Sequence, residues 1–351
     1  MTANNKLKLV CIGGGTGQAL LLSELKNRDA DITAIVTVLD SGRSSGIIRN
    51  EFGMPAPGDM RNCMLALSDG SEWLKTLLQY RFEKYIPGMN LGNLMFAAAA
   101  ERNGDFESAV SEISEFLNIK GKVYPSTFSN IHLIAELESG ERIEGESEII
   151  SPQPKNIHRI RLQDENAEGF GKAADAIMNA DIILIGPGAF YTSVLVHFLM
   201  KNIREAFIKS KAVKFYIQNL AVQAGVTNCM SVSDYLLELH RYIYNNHSIT
   251  WDSLKPAIDF IVLNEESPKR ETLEEYESQG SGIIFANGND IENIKNAGIM
   301  MIRENLMLQA HEKEWGKLLY MRHDASKLSN TIFSKAKNEL EKRSAGRYKQ
   351  P

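Results

Sequence analysis

The residues best suited to chemistry in this chain come in short glycine-bounded clusters. The first is Gly13-Gly14-Gly15-Thr16-Gly17. Without Cβ atoms, the backbone N–H groups of such a run approach an anion closely, and a helix starting there adds the partial positive charge of its N-terminus. A phosphate-bearing ligand is the natural occupant; a tight turn that merely packs helix on strand is the plain alternative. The run is no Walker A loop, because no Gly-Lys-Ser/Thr follows, and Gln18 stands where a dinucleotide fingerprint has its third glycine. The second cluster is Asp40-Ser41-Gly42-Arg43-Ser44-Ser45-Gly46. Here Asp40 suits a ribose hydroxyl or a Mg²⁺ ion, and Arg43, Ser44 and Ser45 suit phosphate oxygens, with a capped, solvated loop as the alternative.

Four further groups extend the pattern. In Pro57-Gly58-Asp59-Met60-Arg61-Asn62, Asp59 sits where the N-cap of an apolar helix belongs. Arg61 and Asn62 fall on its first turn, where an arginine opposes the helix dipole and so points to an anion nearby. Asn90 and Asn93 flank a helix start; capping employs one and leaves the other for a base or sugar. Gly186-Pro187-Gly188 leads to Thr192 and Ser193, hydroxyls able to bind a second phosphate or to cap a helix. Asn219 and Thr227 close the set at the end of a later strand.

Such clusters need strand ends to hold them. Residues 7–11, 32–39, 181–185, 213–217, 260–263, 283–286 and 300–303 are short, apolar and poor in polar alternation, as strands covered on both faces are. Helical patterns at 18–26, 94–102, 173–179, 194–200, 235–244, 271–279 and 325–340 alternate with them. The prediction is an α/β fold: a modified Rossmann-like three-layer sandwich with a mostly parallel sheet, whose ligands gather at the carboxyl ends of the strands. Residues 122–162 break this rhythm. Polar and apolar residues alternate there around Ser139-Gly140, which predicts a β-hairpin subdomain, with Glu141, Glu144, Glu146 and Glu148 as its solvated face. The domain is expected to span 1–340, with 122–162 inserted and 341–351 a basic, frayed tail.

Composition sets the boundaries. With 351 residues, 43% hydrophobic and 24% charged, the chain has an ordinary globular make-up, and a net charge of -5 argues against a general nucleic-acid binder. Cys11, Cys63 and Cys229 are far apart, suit a reducing compartment and have no zinc spacing. No apolar stretch approaches the ~20 residues of a membrane span, and the polar start at residues 1–8 has no signal core behind it, so a cytoplasmic location is expected. His240, His247, His311 and His323 are scattered and read as core or surface histidines. Gly42-Arg43-Ser44-Ser45-Gly46 formally matches a hydrolase elbow, but Asp40 and Ser41 separate it from the strand and no strongly apolar helix is read behind it.

The ordered series Gly13–Gly17, Asp40–Gly46, Pro57–Asn62, Asn90–Asn93, Gly186–Ser193 and Asn219–Asp234 resembles that of the YvcK-like gluconeogenesis factors, relatives of the CofD 2-phospho-L-lactate transferases, over about residues 7–335. The resemblance implies binding of a nucleotide-sugar such as UDP-N-acetylglucosamine (UDP-GlcNAc) and a link to cell shape and wall synthesis. The implied partners are a nucleotide-linked small molecule and a cell-wall-synthesis protein, with the hairpin subdomain as a docking surface, and homo-oligomerisation is compatible with it. One departure stands out: such sequences usually carry Asp-Asp-Gly-Gly-Ser-Ser-Gly in the second cluster, whereas here Ser41 replaces the second aspartate, which puts a Mg²⁺-dependent step in doubt. On the regulatory reading, Gly13–Gly17 and Gly186–Ser193 hold the diphosphate. Asp40 then takes ribose or metal, Arg43 and Arg61 the phosphates, and Asn93 and Asn219 the sugar or base. The alternative is a CofD-like transferase of a nucleotide-linked phosphoryl group, with Asp40 and Arg61 as its catalytic residues and GDP as a ligand. An NAD-dependent oxidoreductase fits the architecture but lacks the full fingerprint, although NAD itself suits such a cleft.

Overall fold

Residues 6–308 and 321–347 are described in the computed structural model. Strand β1 (Leu7–Gly13) lies at the centre, with Leu9, Val10, Cys11 and Ile12 all buried. A tight turn leads to α1 (Gly15–Leu25), and β2 (Ala30–Val36) pairs with β1 in parallel. Helices α2 (Arg43–Phe52), α3 (Gly58–Leu67), α4 (Glu72–Gln79), α5 (Leu91–Asn103) and α6 (Phe106–Phe116) precede β3 (Lys122–Pro125). An antiparallel unit follows, made of β4 (Leu133–Leu137), β5 (Arg142–Glu144), the short α7 (Glu146–Ile149) and β6 (Ile157–Leu162). The chain then runs through α8 (Gly171–Met178), β7 (Ile182–Ile185), α9 (Lys201–Lys209), β8 (Val213–Ile217) and α10 (Val232–Tyr244). It closes with β9 (Phe260–Asn264), α11 (Arg270–Ser278), α12 (Gly288–Asn296), β10 (Met300–Glu304) and α13 (Ala325–Arg347).

Seven strands form one parallel sheet in the order β10-β9-β8-β7-β1-β2-β3. Each face carries its own apolar core. Leu21, Leu22 and Leu25 of α1, Met60 and Met64 of α3, Phe96 of α5 and Leu328 and Ile332 of α13 pack on Leu9, Cys11 and Leu184. On the opposite face Ile177 of α8, Phe207 of α9 and Leu236 of α10 pack on Val10, Ile12, Ile183 and Tyr216. This is the three-layer α/β sandwich anticipated from the sequence. The chain winds outward from β1 through β2 to β3, returns to β7 on the other side of β1, and winds outward again. The β1/β7 junction is therefore the topological switch point, where open parallel sheets leave a crevice.

Several local expectations change. Lys122–Pro125 joins the parallel sheet beside β2, so the antiparallel unit starts only at Leu133. Ile283 makes an isolated bridge to Ala221 rather than opening a strand, because Gly280 and Gly282 leave too short an apolar run between turns. Thr192 and Ser193 lie in a π-helical turn, Phe190–Val194, that passes into a 3₁₀ turn, Leu195–Leu199, and not at the head of an α-helix. Residues 341–347 continue α13, tied to the sheet by Arg343, which donates to Asp259 Oδ1 at 2.6 Å. Residues 1–5, 309–320 and 348–351 lie outside the described residues, and with them part of the polar start, His311 and the end of the tail. Among the described residues no helix is long and apolar enough to cross a membrane.

The antiparallel unit is anchored by a buried cation. Arg49 of α2 is 1% exposed and donates Nε to Asn130 Oδ1 at 2.7 Å and Nη1 to Leu39 O at 3.3 Å, while Nη2 bonds Ile131 O. It thereby joins the segment after β2 to the approach to β4. Replacing it leaves buried carbonyls without donors, at about 1–3 kcal/mol each. Arg49→Met is expected to lower stability by about 2–4 kcal/mol in urea denaturation; a loss below about 0.5 kcal/mol would show that the anchor is dispensable.

Candidate functional site

The two glycine turns leave β1 and β7 side by side and touch. A Cβ on Gly14 would stand 2.7 Å from Thr37 Cγ2, 2.9 Å from Asp59 Oδ2 and 3.2 Å from Ser193 Cβ. One on Gly188 would stand 3.1 Å from Ser193 Cβ and 3.2 Å from Gly14 O. A side chain at Gly14 would displace Thr37 or Asp59, and one at Gly188 would crowd the approach of the two turns. Gly15, at φ 70, has open space where its side chain would be, and Thr16 and Gly17 line a cleft beside it. Gly13 and Gly186 are buried beneath the turns, where Gly13 O accepts from His197 Nε2 at 2.8 Å and Gly186 N donates to Ile12 O at 2.8 Å. They shape the turns rather than face a ligand. Gln18, in place of a third glycine, is fully buried and donates to Cys11 O at 3.0 Å.

The residues predicted to grip phosphates divide into two groups. Asp59 is not the cap of its own helix, since Pro57 holds that position; its Oδ2 accepts the N–H of Gly15 at 2.7 Å and so caps α1 from a distance. Burial and then the charge of Asp40 push its carboxyl up to about 6, against the pull of the Gly15 N–H and of Arg61. The Asp40 stretch is not wholly a solvated loop, because α2 starts at Arg43 and buries Ser44 and Ser45. Asp40 Oδ1 accepts the N–H of Gly42 at 2.8 Å, and its Oδ2 lies toward Gly58. Arg43 is exposed at φ 45, a left-handed conformation that costs a residue with a Cβ about 1 kcal/mol or more. Ser44 and Ser45 are buried and bonded to Asn93 Nδ2 at 3.1 and 3.3 Å, and among the described residues no histidine bonds Ser44, which is engaged instead by Asn90 N and Met89 Sδ.

Arg61, Asn62, Asn90 and Asn93 form an internal network instead of reaching a ligand directly. Arg61 is 5% exposed; its guanidinium bonds the side-chain oxygens of Asn90 and Asn93, and also Asn62 Oδ1 at 2.8 Å. Asn90 caps α5 by accepting the Asn93 N–H at 3.0 Å, and Asn93 is spent on Arg61 and the two serines. Both asparagines are fully buried, so neither is free for a base or sugar. Burial, and next the charge of Arg81, lower the Arg61 guanidinium to about 10. Arg81, which the sequence reading passed over, bridges Asn90 and donates to Gly88 O at 3.1 Å, and the charge of nearby Arg43 adds to burial in lowering its own proton affinity. Among the described residues Arg61 Nε has no partner in this buried setting.

The antiparallel unit supplies a group that the sequence reading assigned to solvent. Gly145, at φ 95, turns the chain inward after β5 and breaks the polar-apolar alternation; that break is the signal that was available in the sequence. Ser147 N then donates to Ser41 Oγ at 3.0 Å, and Thr192 Oγ1 donates to Glu146 Oε1 at 3.3 Å. Glu146 is pushed up to about 8 by burial, then by the charges of Asp40 and Asp59. Ser41 thus latches the inserted unit to the site. Among the described residues no three His, Cys, Asp or Glu side chains form a group able to hold a metal. A Mg²⁺ at Asp40 would therefore depend on ligand phosphates and water for most of its shell.

Beyond Gly17 and Gly188 the crevice widens into a cleft of about 800 Å³. Its walls are mostly apolar, with Leu20, Pro152, Leu220, Val222 and Leu328 among them, and Asn219 and His323 supply polar atoms. Asn219 Nδ2 donates to Gly188 O at 2.8 Å. Thr227 is buried away from the cleft lining, with Oγ1 accepting from Gln223 N at 2.9 Å, and Ser193 serves as packing between the glycine turns. Of the residues named from sequence, the structure brings Gly14, Gly15, Thr16, Gly17, Asp40, Asp59, Gly188 and Asn219 to the crevice.

These features define a Rossmann-like α/β class of fold with a crevice at its switch point, and the comparisons sharpen it. The model of the 2-phospho-L-lactate transferase CofD family matches residues 9–307. The gluconeogenesis factor of Bacillus subtilis is 37% identical over 329 residues, covering 93% of this chain and 97% of the relative. That of Listeria monocytogenes is 40% identical over 245 residues, covering 69% of this chain and 76% of the relative. A crystal structure of a Bacillus halodurans protein superposes with a TM-score of 0.84 at 35% identity, covering 93% of this chain and 99% of that one. The chain belongs to the CofD family and, within it, to the group named gluconeogenesis factors.

The raised carboxyl of Glu146 has a measurable consequence. Its ordinary value is 4.5 and its folded value about 8, so between these the folded state holds a proton that the unfolded chain has released, and stability falls as pH rises through that window. Glu146→Gln abolishes this dependence. Its thermal midpoint relative to wild type is expected to rise from pH 4.5 to pH 9; a difference independent of pH would refute the shift.

Proposed function

We propose that this protein binds a nucleotide-linked sugar, with UDP-GlcNAc as the reference ligand, and acts in the cytoplasm as a regulator of cell shape and cell-wall metabolism in gluconeogenic growth. The observation that carries this reading is the contact of Gly14 with Gly188 at the switch point, open at Gly15 and continuous with the 800 Å³ cleft. A diphosphate seats against the exposed backbone of the turns, next to the N-terminus of α1, and the nucleoside follows into the cleft. Asp40, Arg43 and Arg81 then face the sugar end, outside the buried Arg61 network. The names of the relatives favour a factor over an enzyme, and a cell-wall-synthesis partner docking on the antiparallel sheet belongs to the same reading.

One observation favours a second reading. Glu146 holds a proton near neutral pH beside Asp40, as a group exchanging protons with an acceptor hydroxyl would. In a transferase, the acceptor oxygen would bond to phosphorus, the bond to the nucleotide would break, and ionised Glu146 would take the hydroxyl proton. Asp40 would orient the acceptor, and Arg61 would act on the developing charge through its network.

Calorimetry with UDP-GlcNAc, GDP and NAD, with and without Mg²⁺, separates the two when each mixture is followed for released nucleotide. The regulator is expected to bind UDP-GlcNAc without turnover and to lose about tenfold or more in affinity in Asp40→Ala. Mg²⁺-dependent GDP binding, with nucleotide release on adding an acceptor hydroxyl, would overturn it in favour of transfer.

A further inference from the structure

Two residues that line the cleft each carry a buried polar atom with no partner among the described residues. Asn219 Oδ1 is one; its own amide nitrogen is occupied by Gly188 O, so the oxygen is left as an acceptor. His323 Nε2 is the other. This histidine is 7% exposed, lines the cleft, and its ring bonds the backbone of Gln218. Since Nε2 is unpartnered, that bond is made by Nδ1, whose hydrogen is donated to the carbonyl. Burial lowers the ring to about 4, so at neutral pH it is uncharged and Nε2 carries a lone pair. A buried acceptor without a donor is unfavourable, and neither backbone nor side chain of the described residues relieves it here.

The order of these groups matters. Gly188 belongs to the turn proposed for the diphosphate, Asn219 is bonded to Gly188, and His323 leans on the next residue back along the chain, Gln218. Phosphate, ribose and base of a nucleotide follow one another in the same way.

We propose that His323 is a specificity-determining residue of the ligand site, its Nε2 accepting an N–H of a nucleobase held between the apolar cleft walls, while Asn219 Oδ1 accepts a ribose hydroxyl. This rests on the nucleotide-binding reading above and adds the chemical edge that is recognised: an imino or amino donor, such as uracil N3–H. A ring lacking that donor leaves Nε2 unpaired and binds less well, which is the asymmetry by which buried polar groups discriminate.

The test uses the whole protein with UDP-GlcNAc and its N3-methyluracil analogue, read by calorimetry at pH 7.5. The wild type is expected to bind the analogue about tenfold more weakly than the parent. His323→Phe, which keeps a ring and removes the nitrogen, is expected to bind the parent about tenfold more weakly and to lose the discrimination, as in a double-mutant cycle. Equal binding of parent and analogue by the wild type, or full discrimination retained in His323→Phe, overturns the proposal while leaving nucleotide-sugar binding intact. Absence of binding by the wild type to UDP-, GDP- and ADP-linked sugars overturns both. Should His323→Phe fail to melt cooperatively, Val222→Trp blocks the cleft wall instead: loss of binding supports the base subsite, and unchanged affinity overturns it.

Discussion

The structure depends on the close approach of two backbone turns. Gly14 and Gly188 leave the ends of β1 and β7; a side chain on Gly14 would collide with Thr37 and Asp59, and one on Gly188 would press on Ser193 and on the Gly14 carbonyl. Because β1 and β7 are hydrogen-bonded neighbours, the turns have no room to separate without breaking the sheet. The sheet's reversal in winding direction then leaves a crevice at this junction. The first turn of α1, Asp59 of α3 and the cleft toward α13 are all placed by that contact.

Around this point the protein buries charge in an uneven way. On the β2 side, Asp59 and Glu146 are raised toward their neutral forms by burial and by Asp40. Among the described residues Arg61 and Arg49 are buried without a direct carboxylate partner, and their guanidinium groups bond amide and carbonyl oxygens. Neutral acceptors fix the position of a cation without cancelling its charge, so its field still extends toward an anion at the site. On the β8 side the cleft walls are mostly apolar, and the two acceptors unpartnered among the described residues, Asn219 Oδ1 and His323 Nε2, are uncharged. The crevice is thus polarised, with a charged end around Asp40, Asp59 and Arg61 and a mostly apolar end around Leu220, Val222 and Leu328.

The inserted antiparallel sheet belongs to the site as much as to the periphery. It is held at Arg49, at Ser41 with Ser147, and by Lys155 N to Gly225 O at 2.8 Å, while Pro152 forms part of the cleft wall. Glu136 on its central strand is bound by Arg159 and Arg161 across the sheet, which keeps the unit together as it reaches inward. A substitution at Ser41 consequently acts on the seating of Glu146 as well as on Asp40.

The sequence by itself determined the parallel sheet and the ends of strands at which ligands gather. Strands buried on both faces must be continuously apolar, and turns that approach an anion or one another must be glycine; both constraints are local and visible in residues 7–17 and 181–188. It did not determine which polar side chains face the crevice. Asn90, Asn93 and Thr227 look like ligands in the chain and are bonded inside the protein, because the groups that claim them lie in other segments or in loop geometry invisible to spacing. Glu146 and His323 look like surface or filler and line the site, because a glycine bend and the packing of α13 against α1 carry them there. Only the tertiary structure decides such matters, since a hydrogen bond between residues far apart in the chain leaves no periodicity in the sequence that makes it.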